Sequence, residues 1–252
     1  VHTLTDGRPA GPARPRDPWW YRERRAILSR ELRRLGPPGR AAHIGSASGA
    51  GSLQADTLLA DDILRADALH LRRHGWQTTT VDTSGTGGTD VLPGDPRYLP
   101  LATGGFDLAV ALDVLARAED DRAAAAEIAR VLRPGGTALV SVPHDMRLWS
   151  AHDLACGNVR RYTRDTLAAL LAGAGLVLDR LWNWNVLLRP LARLRRHHVA
   201  GWETRARRPA ADRLLGWILQ AEDLLPLHSL SGTTLFARAH RPPDDVGTAG
   251  AS

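Results

Sequence analysis

Lysine is absent from the 252 residues, yet arginine is so frequent that the formal charge at pH 7 is +6. Abundant arginine and alanine without lysine is the mark of a GC-rich coding sequence. The high isoelectric point therefore carries little weight as a sign of nucleic-acid binding, although basic patches do steer anionic partners. The charge is also unevenly placed. Residues 1–40 hold ten arginines against four acids, 41–188 hold thirteen against seventeen, and 189–208 hold seven against one. The basic surplus thus flanks an acidic middle. Cysteine occurs once, at Cys156, which excludes an internal disulfide and a cysteine-built zinc site. No apolar run approaches the roughly 20 residues of a membrane span. Residues 1–17 are polar and rich in Pro and Gly and lack the apolar stretch of a secretory signal, so they are expected to form a disordered leader of a cytoplasmic protein. Residues 241–252 are expected to be a disordered tail. What remains, 18–240, is long enough for one domain with a sizeable core.

Along that stretch helical and strand patterns alternate. Residues 19–35 place Trp20, Ile27, Leu28, Leu32 and Leu35 on one side of a helix, which Gly36-Pro-Pro-Gly39 ends. Strands are expected at 40–44, 77–82, 106–112, 137–143, 176–182 and 233–239, and helices at 53–73, 121–132 and 164–173. Two Arg/Leu-rich helical pieces, 186–196 and 210–225, make an insert over 186–226. The run FDLAVAL (106–112) is continuously apolar, as a central parallel strand buried on both faces must be. This order predicts an α/β fold with a mostly parallel sheet covered by helices on both faces.

In such a sheet, ligands bind at the carboxyl ends of the strands, where strand order reverses. The first strand runs into GSASGAGS (45–52), whose glycines permit close backbone approach. The second ends at Asp82, placed to accept hydrogen bonds from ribose hydroxyls. On pattern alone, a simple loop and a strand-end cap stand beside a nucleotide site as readings of these two features.

The segments PWWYRERRAIL (18–28), GDPRYLPLATGGFDLAVALDVL (94–115), AEIARVLRPGGTALVSVP (126–143) and LWSAHDLACGNVRRYTRDTLAALLAGAGL (148–176) resemble a broad bacterial branch of the class I S-adenosylmethionine (SAM)-dependent methyltransferases, as does GTTLFARA (232–239). The resemblance implies a Rossmann-like seven-stranded sheet, its last strand antiparallel, with SAM as cofactor. It puts Gly45, Ala47 and Gly49 at the loop around the methionine end of SAM, with His43 just before it. Asp82 falls at the ribose, Asp95 at the adenine amino group, and Leu112 and Asp113 beside the methyl. Several positions depart from the family pattern. His43 replaces an acid, Ala47 a glycine, and Ala116-Arg117 a frequent Glu-His pair. Pro96 offers no N–H, and no helix separates Asp82 from Asp95.

Methyl transfer from a sulfonium chiefly needs alignment, and a base only when the acceptor carries a proton. His144 and His152 are the candidate bases, since imidazole titrates near neutrality; His152 with Asp153 equally reads as a structural pair. Arg160, Arg161 and Tyr162 suit an anionic or polar substrate group or, alternatively, a solvated arginine pair beside a core tyrosine. Trp149 reads as a pocket wall or a core residue, and Trp19, Trp20 and Tyr21 as a lid or simple helix packing. His144, Asp145, His152 and Asp153 match no familiar metal-ligand spacing, so no metal is expected. The expected reaction is O- or N-methylation of a small molecule. The alternative is a protein of this fold that has lost methyl transfer. A nucleic-acid substrate is not expected: the chain has Asp113-Val-Leu-Ala where base-methylating enzymes carry a Pro-Pro-aromatic motif, and no region remains for base readout. The basic insert 186–208 is expected to cap the substrate site, with peripheral membrane contact as its other reading.

Overall fold

A computed structural model describes residues 19–46, 54–85, 88, 90–190, 193, 217–218, 222 and 230–244. The leader 1–17, Ala47 and Gly49, most of the 186–226 insert and residues 245–252 of the tail lie outside the described residues.

Seven strands form one sheet: β1 (Arg40–Gly45), β2 (Gln77–Asp82), β3 (Val91–Pro93), β4 (Phe106–Leu112), β5 (Leu132–Pro143), β6 (Val177–Trp184) and β7 (Thr234–His240). Their order is β3-β2-β1-β4-β5-β7-β6. Pairings among β1 to β5 are parallel, and β7 lies antiparallel to both β5 and β6. Strand order reverses between β1 and β4, the place where a crevice opens in sheets of this kind. The helices are α1 (Trp19–Leu32), α2 (Gln54–Arg73), α3 (Val114–Arg117), α4 (Asp121–Val131), α5 (Ala151–Ala155) and α6 (Arg164–Gly173).

The strand period of two divides the core. In β4, Ala109 and Ala111 join one buried cluster with Leu115, Ile128, Leu167 and Leu171. Leu108, Val110 and Leu112 join the other, with Ile27, Leu28, Leu32 and Leu71. Thus α3, α4 and α6 cover one face, and α1 and α2 the other. Trp182, Trp184 and Phe236 extend the second cluster, and Trp20 of α1 meets Trp184 with ring centroids 4.3 Å apart. This is the helix-packing reading of that aromatic segment.

The sheet departs from the sequence pattern in two places. β5 starts at Leu132 rather than 137, because Leu132 pairs with Phe106 and the chain stays beside β4 through a register shift. Gly135, at φ 74°, lets it bend there. The short edge strand β3 lies within a stretch that carries no strand pattern; pairing with β2 defines it.

Candidate functional site

The carboxyl ends of β1 and β2 are tied together. Both the amide and the hydroxyl of Thr83 donate to the Gly45 carbonyl, at 2.8 and 3.0 Å. The turn after β3 closes on the same region, where the Gly94 amide donates to the Asp82 carbonyl at 3.0 Å. A Cβ at Gly94 would stand 2.6 Å from a Val81 methyl, so only glycine brings this turn so close. On the other side, Asp113 leaves β4 in the left-handed conformation at φ 60°. Asp145 after β5 also has positive φ, 64°. Aspartate is among the few residues that tolerate this region, and such positions gather at functional strand ends.

Between these elements lies a cleft of about 620 Å³, within the ~300–1,000 Å³ range of small-molecule sites. It is lined by Ser46, Thr83, Ser84, Gly94, Asp95 and Arg97, which follow β1, β2 and β3, and by Val114, Arg117, Ala118, Glu119, Cys156 and Gly157, which follow β4 and β5. Of the expected cofactor residues, Asp95 lines it directly. Asp82 lies just beneath at 1 % exposure, with both carboxylate oxygens 2.7 Å from the Ser84 hydroxyl. Asp95 is held by Arg97 through its amide, Nε and Nη2 at 2.7–3.2 Å. Those hydrogen bonds, before all else, keep its carboxyl below the usual range. Leu112 is buried at the end of β4. Asp113 accepts from the Ser141 hydroxyl at 3.2 Å and from Arg24 at 3.4 Å.

His43 is buried at 1 % exposure, and its Nδ1 has no hydrogen-bond partner. Burial pushes its pKa down to about 4, so at neutral pH it carries no charge where the family has an acid. Beside it is a charged cluster that the sequence reading passed over. Asp67 of α2, 2 % exposed, accepts from Arg24 at 2.5 Å and from Arg25 at 3.1 Å. A signal was present. Arg24 lies one turn from Trp20 and from Ile27 and Leu28 on the apolar stripe of α1, and Asp67 lies likewise between Ile63 and Leu71 in α2. Opposite charges on two facing apolar stripes ask for each other.

The 146–162 segment is rigid for a specific reason. Asp153 is fully buried and accepts from the Ser150 amide, from Asn158, and from Nε and Nη2 of Arg161, all at 2.9–3.1 Å. Arg161 also donates to the His144 carbonyl at 3.0 Å. Arg160 is engaged by Asp121 at 2.8 Å and by the Glu119 carbonyl at 2.6 Å. The Tyr162 hydroxyl is buried 2.8 Å from Asp121 and 3.0 Å from the Leu115 carbonyl, and burial pushes its pKa up. These three side chains therefore hold the loop to the core, and none lines the cleft. Trp149 is half-buried beside them.

His144 donates from Nδ1 to the Tyr162 carbonyl at 2.9 Å, which leaves Nε2 with a free lone pair. Burial holds its pKa below the ordinary value, and neither His144 nor His152 is among the residues that line the cleft. His152 meets Cys156, with Nε2 3.4 Å from Sγ, and Cys156 lines the cleft. Asp153 spends its oxygens on Arg161, Ser150 and Asn158. Among the described residues no three His, Cys, Asp or Glu side chains gather into a metal-binding group, and no helix is long and apolar enough to cross a membrane.

A family model described as a methyltransferase domain matches residues 48–140. That match, together with the strand order, supports a methyltransferase of the class I SAM-dependent type. Solved structures agree in fold. A SAM-dependent methyltransferase from Mesorhizobium loti is 16% identical over 84% of this chain and 96% of its own, with TM-score 0.50. A provisionally assigned sarcosine dimethylglycine methyltransferase from Galdieria sulphuraria is 14% identical over 87% and 86%, with TM-score 0.51. No curated protein matches the sequence. The cleft fits the methyltransferase cofactor in kind: hydroxyls from Ser46, Thr83 and Ser84 and the Asp95 carboxylate line the crevice beyond β1 and β2.

Proposed function

We propose that this methyltransferase acts on a small-molecule acceptor, methylating an oxygen or nitrogen. The observation that carries the reading is the cleft at the β1/β4 reversal, whose ~600 Å³ suit a cofactor and a compact second ligand. SAM, when bound, supplies an electrophilic methyl on a good leaving group. This chain's residues then have four tasks. Thr83 and Gly94 fix the strand ends around the ribose position. Asp82 and Asp95 accept hydrogen bonds there. The Asp153–Arg161 pair fixes the loop that closes the far wall. His144 takes a proton from a hydroxyl acceptor, since burial keeps its ring neutral at neutral pH and the Nδ1 hydrogen bond selects the tautomer with Nε2 unprotonated. His152 is the second candidate for that role.

The test is calorimetric titration of the full chain with SAM and with S-adenosylhomocysteine. Micromolar binding is expected, followed by methyl incorporation from labelled SAM across a panel of phenols, amines and hydroxy acids. No binding up to millimolar concentration would overturn the proposal.

A further inference from the structure

Among the described residues, two arginines line the cleft, Arg97 and Arg117, two more, Arg160 and Arg161, lie on the neighbouring 146–162 segment, and three of the four are paired. Arg97 is engaged by Asp95, Arg160 by Asp121 and Arg161 by Asp153. The fourth, Arg117, ends α3 and lines the cleft. Its Nε is buried without a hydrogen-bond partner, and no described residue forms an ion pair or hydrogen bond with its guanidinium. Two carboxylates share the lining. Asp95 is spent on Arg97. Glu119 is exposed, lies close enough to Arg97 to favour its charge, and makes no ion pair with Arg117.

A half-buried guanidinium with an unsatisfied N–H carries a desolvation cost that an oxyanion ligand would offset. Its planar fork matches the two oxygens of a carboxylate or phosphate. Its location decides which ligand. Ser46, Thr83, Ser84 and Asp95 follow β1, β2 and β3, where the resemblance puts the cofactor, whereas Arg117 ends α3, after β4, and lines the cleft together with Cys156 and Gly157. That part of the lining is braced where the Val159 amide donates to the Ala116 carbonyl at 2.8 Å.

We infer that Arg117 is a specificity-determining residue that holds an oxyanion group, carboxylate or phosphate, on the methyl acceptor. The inference rests on the methyl-transfer reading for the word acceptor, but not for the anion site itself.

The test uses the full chain, its Arg117→Gln and Arg117→Lys variants, and Arg97→Gln as a control. Each is titrated with inorganic phosphate and, separately, with benzoate, both alone and with saturating S-adenosylhomocysteine. The stronger of the two probes on the wild type identifies the oxyanion class. Arg117→Gln should weaken that probe at least tenfold and leave S-adenosylhomocysteine binding within twofold, and Arg117→Lys should recover part of the loss. Equal anion binding by wild type and Arg117→Gln, no anion binding by the wild type, or loss through Arg97→Gln instead would each overturn the inference. So would a tenfold loss of S-adenosylhomocysteine affinity in Arg117→Gln, which would make Arg117 a cofactor contact. If S-adenosylhomocysteine does not bind at all, the methyl-transfer reading fails, while the titrations without it still judge the anion site.

Discussion

Replacing Asp153 by alanine should cost more stability than almost any other polar substitution in the chain. Its carboxylate is fully buried and ties together Ser150, Asn158 and the guanidinium of Arg161. The Arg161 side chain is 9 % exposed, so the alanine variant strands a buried cation. Breaking a buried pair from one side typically costs about 3–5 kcal/mol. For a domain of this size that lowers the melting temperature by roughly 6–20 °C. The alanine variant also loses the capping box of α5, so the higher part of the range is expected. Thermal unfolding followed by circular dichroism measures the shift. Asp153→Ala combined with Arg161→Met should be less destabilised than the sum of the two single variants, because the stranded charge is gone. A single-variant loss below about 1 kcal/mol, or strict additivity in the pair, would refute the buried-hub argument.

His43, buried and neutral with a pKa near 4, makes stability depend on pH. The unfolded imidazole takes a proton below about 6.5 that the folded one refuses, so stability falls as pH drops from about 6.5 toward 4. The full effect is about 3 kcal/mol. Denaturant midpoints for wild type and His43→Gln across that window should converge at the acid end, and parallel curves would count against the burial argument. His144 and His70, also depressed by burial, add in the same direction in both proteins. Asp82→Ala should weaken SAM binding at least tenfold in calorimetry, about 1.4 kcal/mol for a lost charged hydrogen bond; unchanged affinity would place the ribose elsewhere. Gly232→Ala should destabilise by about 1–3 kcal/mol, because its Cβ would land on the Trp184 backbone carbonyl, which cannot swing away as a side chain can. A melting temperature within 1 °C of wild type would show that the β6–β7 connection yields instead.

The strands were legible wherever burial on both faces made them continuously apolar. FDLAVAL has no polar period to misread, and β4 spans those seven residues. The helix α6 was equally plain, since Thr163 opens it with a capping box and Gly173 closes it. β3 was not legible, because three edge residues acquire strand geometry only by pairing with β2. In the sequence, Asp82 and Asp95 stand out by their positions at the ends of elements, and Asp95 lines the cleft. The tasks of Arg160, Arg161 and Tyr162 were not, because a sequence shows that an arginine is present but not which carboxylate has claimed it. Asp153 and Asp121 are 8 and 39 residues away from the arginines they hold. Cys156, in the sequence only a lone cysteine, lines the cleft.

The sequence by itself determined the alternation of strands and helices, the two-faced burial of the sheet and the strand-end acids, because periodicity and local turn chemistry are properties of neighbouring residues. Only the tertiary structure decided how the charges are matched. It committed Arg24, Arg97, Arg160 and Arg161 to carboxylates brought close by packing, and it left the guanidinium of Arg117 open to the cleft. Ion pairing acts over a few ångströms in space without regard to distance along the chain, and that is why the fold, and not the residue order, singles out Arg117.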